Sequence, residues 1–193
     1  MGEGDRHITL LRMVHIDNVP HILEHGITHR DSSAANSDYA QIGDRSLITT
    51  RSTLKVDVNN GDLFAMDTTT ICLGDYIPFY FGSRMPMLYV MQKGGNFVKA
   101  PIDPSDIIYI VTSVQLIANA GLVFYFSDGH PVDKGIGIYE SSYVSSIEDL
   151  LDFDAIKEEY WGGEDNIKVK RKKQAEFLVG SNLPVDLIRG YVC

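Results

Sequence analysis

Cysteine is nearly absent: Cys72 in mid-chain and Cys193 as the last residue are the only two. So small a number excludes a disulfide framework. There is no CxxC and no HExxH, so no metal site is expected. No apolar run approaches the ~18 residues of a membrane span. Residues 1–5 are polar and acidic, without the basic start and apolar stretch of a secretory leader. A cytoplasmic protein with no membrane partner is therefore expected. GxGxxG and Walker A patterns are missing, which argues against a Rossmann fold and a P-loop. Internal repeats and low-complexity segments are missing too. Positive charge is also short: 17 Lys and Arg against 26 Asp and Glu give a formal net charge of −9. On average such a surface repels phosphates.

What remains is an ordinary globular composition, 44% hydrophobic and 22% charged over 193 residues. That length suits one domain, residues 1–193, with a sizeable core. Residues 12–16 read as a strand, and Asp17 or Asn18 can cap a helix that runs from Val19 and stops at Gly26. Residues 31–60 form a long polar excursion, closed by a turn at Asn60-Gly61. Residues 77–81 and the apolar stretch 87–91 are strand-like, with a turn at 93–96. Strands follow at 107–112 and 122–126, the second ending in the turn 127–131. Residues 146–160 have the acidic, amphipathic look of one helix, and 174–179 read as a last strand. Short strands with a few short helices predict an α+β fold with a mostly antiparallel sheet.

Alternation along a strand puts Gln174, Glu176 and Leu178 on one face and Ala175, Phe177 and Val179 on the core face. By itself this is an edge strand with a polar outer face, or a strand that presents a carboxylate and an amide to a cleft. Arg51 in the polar excursion reads first as solvated. His15, at the end of an apolar strand, reads as structural; His130 lies in a turn from which it can reach a site at strand ends. Lys168, Lys170, Arg171, Lys172 and Lys173 place five basic residues in a window of six. Such a run is ordinarily a solvated loop.

Five stretches, taken together, resemble the DarT family of DNA ADP-ribosyltransferase toxins. They are residues 14–26 (His15-Ile16-Asp17-Asn18-Val19-Pro20 at their centre), Ile42-Gly43-Asp44 with Arg51 downstream, and Asp75-Tyr76-Ile77-Pro78-Phe79-Tyr80-Phe81 with Pro86-Met87-Leu88. Phe126-Ser127-Asp128-Gly129-His130 and Gln174-Ala175-Glu176 complete the set. The order holds over roughly residues 10–180. The resemblance implies an ADP-ribosyltransferase-like split antiparallel β-core with short helices and a cleft for NAD as co-substrate. It implies Glu176 as the catalytic carboxylate and Arg51 as its active-site partner, touching the NAD diphosphate or the acceptor base. His15, Asp17 and Asn18 would hold NAD, with Tyr80 and Met87 walling the nicotinamide. His130, Gln174 and the basic residues Lys168, Lys170, Arg171, Lys172 and Lys173 would meet the acceptor, with Tyr160 or Trp161 stacking on a base.

The resemblance further implies single-stranded DNA as acceptor and a macrodomain-type antitoxin as partner. An RNA or protein acceptor, or a non-catalytic NAD or nucleic-acid binding module, are the competing readings. Residues 57–70 and 131–143 depart from the family pattern, leaving thymine and guanine both open as the modified base. The chain also stops sooner after its last predicted strand than the family usually does.

Overall fold

The computed structural model describes residues 7–59, 69–94, 98 and 100–193. The predicted turn at Asn60-Gly61, most of the divergent stretch 57–70 and part of the turn at 93–96 lie outside the described residues. A seven-stranded sheet carries the architecture. Its strands are β1 (Thr9–His15), β4 (Ile77–Tyr80), β5 (Ile107–Ser113), β6 (Phe124–Ser127), β7 (Ile138–Glu140), β8 (Glu176–Val179) and β9 (Gly190–Val192). They lie in the order β7-β6-β8-β4-β1-β5-β9, with every pairing antiparallel. Strands β2 (Lys55–Asp57) and β3 (Thr70–Cys72) pair separately. This is the α+β, antiparallel arrangement that the strand-rich pattern predicts. Among the described residues no helix is long and apolar enough to cross a membrane.

Strand β8 is interior, not an edge, and all four of its residues are buried. Phe177 and Val179 join the main core with Leu10, Val14, Phe79, Ile110, Phe124 and Phe126. On the other face Leu178 packs with Val58, Ile71, Leu73 and Ile138. Glu176 shares the parity of Leu178, so a carboxylate stands at the end of a face that is otherwise apolar.

The sheet is split between β1 and β4. Strand β1 is in register with β5 along its full length, from Thr9↔Ser113 to His15↔Ile107, but meets β4 at a single position, Leu11↔Tyr80. Pro78 supplies the local reason. It has no N–H to donate and cannot extend a ladder within a sheet. Its carbonyl instead accepts a hydrogen bond from Arg12 Nη1 at 2.8 Å. The strands part here, and a cleft opens at the parting.

Four expectations are corrected. Residues 87–91 are helical: Pro86 sits in the first turn of α3 (Pro86–Lys93), where its missing N–H has no role. Met87 and Met91, four apart, then share one helix face. The predicted helix over 146–160 is broken into α5 (Ile147–Leu150) and α6 (Phe153–Lys157), because Asp152 Oδ1 accepts from Ala155 N at 2.9 Å and caps a new helix. The polar excursion 31–60 contains helix α2 (Arg45–Arg51), capped by Asp44, whose Oδ1 accepts from Ser46 N at 2.8 Å and Leu47 N at 3.2 Å. The basic run is helix α7 (Ile167–Lys173), not a loop.

Candidate active site

The split encloses a cleft of about 380 Å³. Its floor takes Arg12, Met13 and Val14 from β1, Ile77, Pro78 and Tyr80 from β4, and Glu176 from β8. Met87 and Met91 form one wall and Arg51 another, while the segment from Thr28 to Asp44 crosses over. Asn18 holds that segment down. It is fully buried, its Nδ2 donates to Ala40 O at 2.8 Å, and its Oδ1 accepts from Ala40 N at 2.9 Å.

Two elements far apart in sequence bring Glu176 and Arg51 together. Glu176 is fixed by its strand: its N–H donates to Ser127 Oγ at 3.0 Å, and it stands opposite Tyr80 in the β4–β8 register. Arg51 is the last residue of α2. The turn that begins at Leu73 packs on this helix end, with Leu73 N donating to Leu54 O at 2.9 Å. A Cβ on Gly74 would lie 2.7 Å from Ser52 Cα, so only glycine allows so close an approach. Arg51 Nη1 reaches within 2.8 Å of Glu176 Oε2, with side-chain exposures of 14% and 2%. The contact is off-line for a hydrogen bond, and Oε2 is left without a hydrogen-bond partner.

Three buried side-chain polar atoms lack hydrogen-bond partners among the described residues: Glu176 Oε2, Arg51 Nη2 and Arg12 Nε. The three side chains all line this one cleft. An unmade bond on a buried polar atom costs about 1–3 kcal/mol, more on a charged group, so such atoms belong where a ligand completes them. Tyr80 lies among them. Its phenol is pushed well above the usual tyrosine range, first by desolvation and then by the Glu176 carboxylate, while Arg51 and Arg12 pull the other way.

The remaining expected site residues separate into groups. Tyr80, Met87, Asn18 and His130 line the cleft. His15 and Asp17 do not: His15 Nδ1 accepts from Asp17 N at 3.2 Å and caps the short turn that follows β1. Arg12, three residues earlier, faces the cleft instead. Sequence reasoning passed over it, although a charged residue between Leu10 and Val14 in an apolar strand was a usable signal. Gln174 does not stand beside Glu176 on a strand. It ends α7, and its Nε2 donates back to Lys170 O at 3.1 Å.

The basic run is mostly committed to the fold. Lys173 is buried and donates to Ile156 O at 2.6 Å and Glu158 O at 2.7 Å. Desolvation holds its ammonium below the usual lysine range, with the Glu158 charge opposing. Lys172 pairs with Asp128 at 2.7 Å and Arg171 with Asp133 at 3.3 Å, clasping α7 to the turn that carries His130. His130 N–H donates to Arg171 O at 3.1 Å in the same clasp. Lys168 is exposed, and Lys170 lies over the Trp161 ring, 5.7 Å from its centroid. Trp161 in turn meets Tyr89 edge-on at 5.8 Å, and Tyr160 is 72% exposed.

A family model described as "ssDNA thymidine ADP-ribosyltransferase, DarT" matches residues 11–193. A DNA ADP-ribosyl transferase of Thermus sp. strain 2.9 is 34% identical over 185 residues, covering 93% of this chain and 78% of the relative. The solved structure of Thermus sp. 2.9 DarT with ADP-ribosylated ssDNA superposes with a TM-score of 0.76 at 29% identity, covering 95% of this chain and 80% of that one. Its complex with NAD+ superposes with a TM-score of 0.69, over the same shares of the two chains. A DNA ADP-ribosyl transferase-DNA ADP-ribosyl glycohydrolase fusion protein of Thermosipho africanus is 27% identical over 172 residues, covering 88% of this chain and 38% of the fusion.

Proposed function

We infer the function from the premise that this chain belongs to the DarT family, whose family model spans nearly all of it. The chain is an enzyme that uses NAD as co-substrate and ADP-ribosylates a base of single-stranded DNA. The observation that carries the site assignment is the cleft in which Glu176 Oε2 and Arg51 Nη2, paired across 2.8 Å through Arg51 Nη1, keep unspent hydrogen-bonding capacity.

The chemistry suits a buried carboxylate. The nicotinamide of NAD is cationic and leaves as a neutral base, so the departure needs no proton. Positive charge develops on the ribose, and Glu176, accepting a hydrogen bond from a ribose hydroxyl, stabilises it. The bond from C1″ to nicotinamide nitrogen breaks, a bond from C1″ to a base nitrogen forms, and the proton displaced from that nitrogen is released. Arg51 holds the carboxylate in place and turns Nη2 toward a carbonyl of the acceptor base. Tyr80 and Met87 wall the nicotinamide.

Thymidine is the acceptor this reading favours, following the family description. Lys168 and Lys170 meet the DNA backbone, and Tyr160 offers an exposed ring on which a base can stack. Residues 1–193 act as one ADP-ribosyltransferase domain in the cytoplasm. Its role is that of a toxin restrained by a macrodomain-type glycohydrolase; the fusion of both activities in the Thermosipho relative supports such a pairing.

The test is mass spectrometry of single-stranded oligonucleotides incubated with the protein and NAD, beside Glu176→Ala. A gain of one ADP-ribose on thymidine, absent with the variant, supports the reading. NAD consumed with no gain on DNA moves the acceptor to RNA or protein. A protein that consumes no NAD refutes the catalytic assignment.

A further inference from the structure

We propose that Arg12 holds the diphosphate of NAD, a contact that rests on the cleft being the NAD site. Arg12 and Arg51 reach the same cleft with different electrostatic partners. Arg51 has a carboxylate at 2.8 Å, that of Glu176. Arg12 forms no ion pair among the described residues; its one hydrogen bond goes from Nη1 to the neutral carbonyl of Pro78 at 2.8 Å. Its Nε is buried and unpartnered. A half-buried guanidinium with an unpartnered Nε and no counterion is unfavourable, and an anion is what relieves it.

NAD offers one anionic group. Its nicotinamide ring is cationic and its riboses and adenine are neutral, so the diphosphate is the part a free guanidinium selects. The forked donors of arginine suit two phosphate oxygens. The layout agrees. Arg12 on β1 and Glu176 on β8 are separated by β4. Regular pairing would set these backbones about 10 Å apart, and the parting of β1 from β4 widens that. One ribose separates the scissile bond from the first phosphate, so the anion that Arg12 holds lies apart from the carbon that Glu176 faces, and both residues line the one cleft. A strand of DNA enters from outside, whereas Arg12 Nε has essentially no solvent contact.

The split in the sheet gives the site its cause. Because Pro78 cannot donate, β1 and β4 part beyond Leu11↔Tyr80, and a side chain of β1 enters the gap. Arg12 therefore links the feature that opens the cleft to the ligand that fills it.

The test compares ADP with adenosine, which lacks the diphosphate, by calorimetric titration of wild type, Arg12→Met and Arg12→Lys. Met keeps an unbranched apolar chain of similar length in the gap; Lys keeps the charge without the fork. ADP affinity should fall at least tenfold in Arg12→Met and partly recover in Arg12→Lys, with adenosine affinity unchanged. In the wild type, ADP binding should weaken with added salt and adenosine binding should not. This comparison stands even where a variant fails to fold. Wild-type ADP affinity in Arg12→Met overturns the proposal. So does an equal loss of ADP and adenosine, which marks a structural role, or a raised KM for DNA with ADP binding intact. NAD consumption by the wild type, lost in Glu176→Gln, reports separately on the enzyme reading. A protein that consumes NAD but binds ADP equally well with and without Arg12 refutes this assignment alone.

Discussion

The pair formed by Arg51 and Glu176 gives the sharpest test of how the site is built. At 2.8 Å and an effective dielectric of 20, its gross attraction is about 6 kcal/mol. Desolvation of both groups offsets most of this. What the pair prevents is therefore more informative than what it adds. Removing one partner leaves a buried, uncompensated charge, at about 3–5 kcal/mol. Arg51 borders the cleft, so the lower figure, about 3 kcal/mol, applies to Glu176→Met and to Arg51→Met. In a domain of this size, that lowers Tm by roughly 6–12 °C. The double variant carries no stranded charge and should recover about 2–3 kcal/mol of the summed loss.

Activity should not follow stability. Loss of Glu176 should reduce NAD turnover by about 10²–10³, and the double variant should stay as inactive while melting well above the additive expectation. Thermal unfolding and NAD consumption of the four proteins give both readings. Additive Tm changes would refute the coupling drawn from the structure. Recovery of turnover along with Tm would remove Glu176 from the chemistry.

The packing of Gly74 on Ser52 predicts that Gly74→Ala forces the end of α2 aside. It should cost about 1–3 kcal/mol in unfolding free energy and lower NAD turnover even where the protein is folded. Of the basic run, Lys168 and Lys170 are left to meet DNA, so replacing both with Ala should reduce the slope of log affinity against log salt by about 1.4. Anisotropy of a labelled single-stranded oligonucleotide measures this; Lys173→Met should leave the slope unchanged. That variant should instead strand two carbonyls and destabilise by about 1–3 kcal/mol, seen in urea unfolding. Tyr76 and Tyr109 are both pushed up from 10.0 to about 12, chiefly by desolvation. In the unfolded chain these phenols release protons first. Stability should therefore hold up to pH 10 and fall between 10 and 12. Phe at both positions should flatten that decline in a pH series of thermal unfolding.

Much of this protein is legible in local sequence because the causes are local. Alternation and β-branching mark β1, β5 and β8, and Gly26 ends the first helix at a φ of 74°. Glu176 is conspicuous as a carboxylate at the head of a buried strand, and Arg51 acquires a meaning through the order of motifs around it. Where local signals compete, the reading fails. The apolar run 87–91 fits strand and helix alike, and Pro86 decides it. One amphipathic stretch becomes two helices because Asp152 caps the second.

The chain alone determined the class of fold and the residues with the right chemistry, since propensity, alternation and side-chain type act over a few neighbours. Partnership required the tertiary structure. Five consecutive-looking cations become one buried donor, two clasps and two surface charges only when α7 docks against the 128–134 turn and the end of α6. Gln174 turns away from Glu176 because a helix ends there. His15 yields the cleft to Arg12 because β1 and β4 part at Pro78. Burial and pairing are properties of neighbours distant in sequence. They give each of these charges its function.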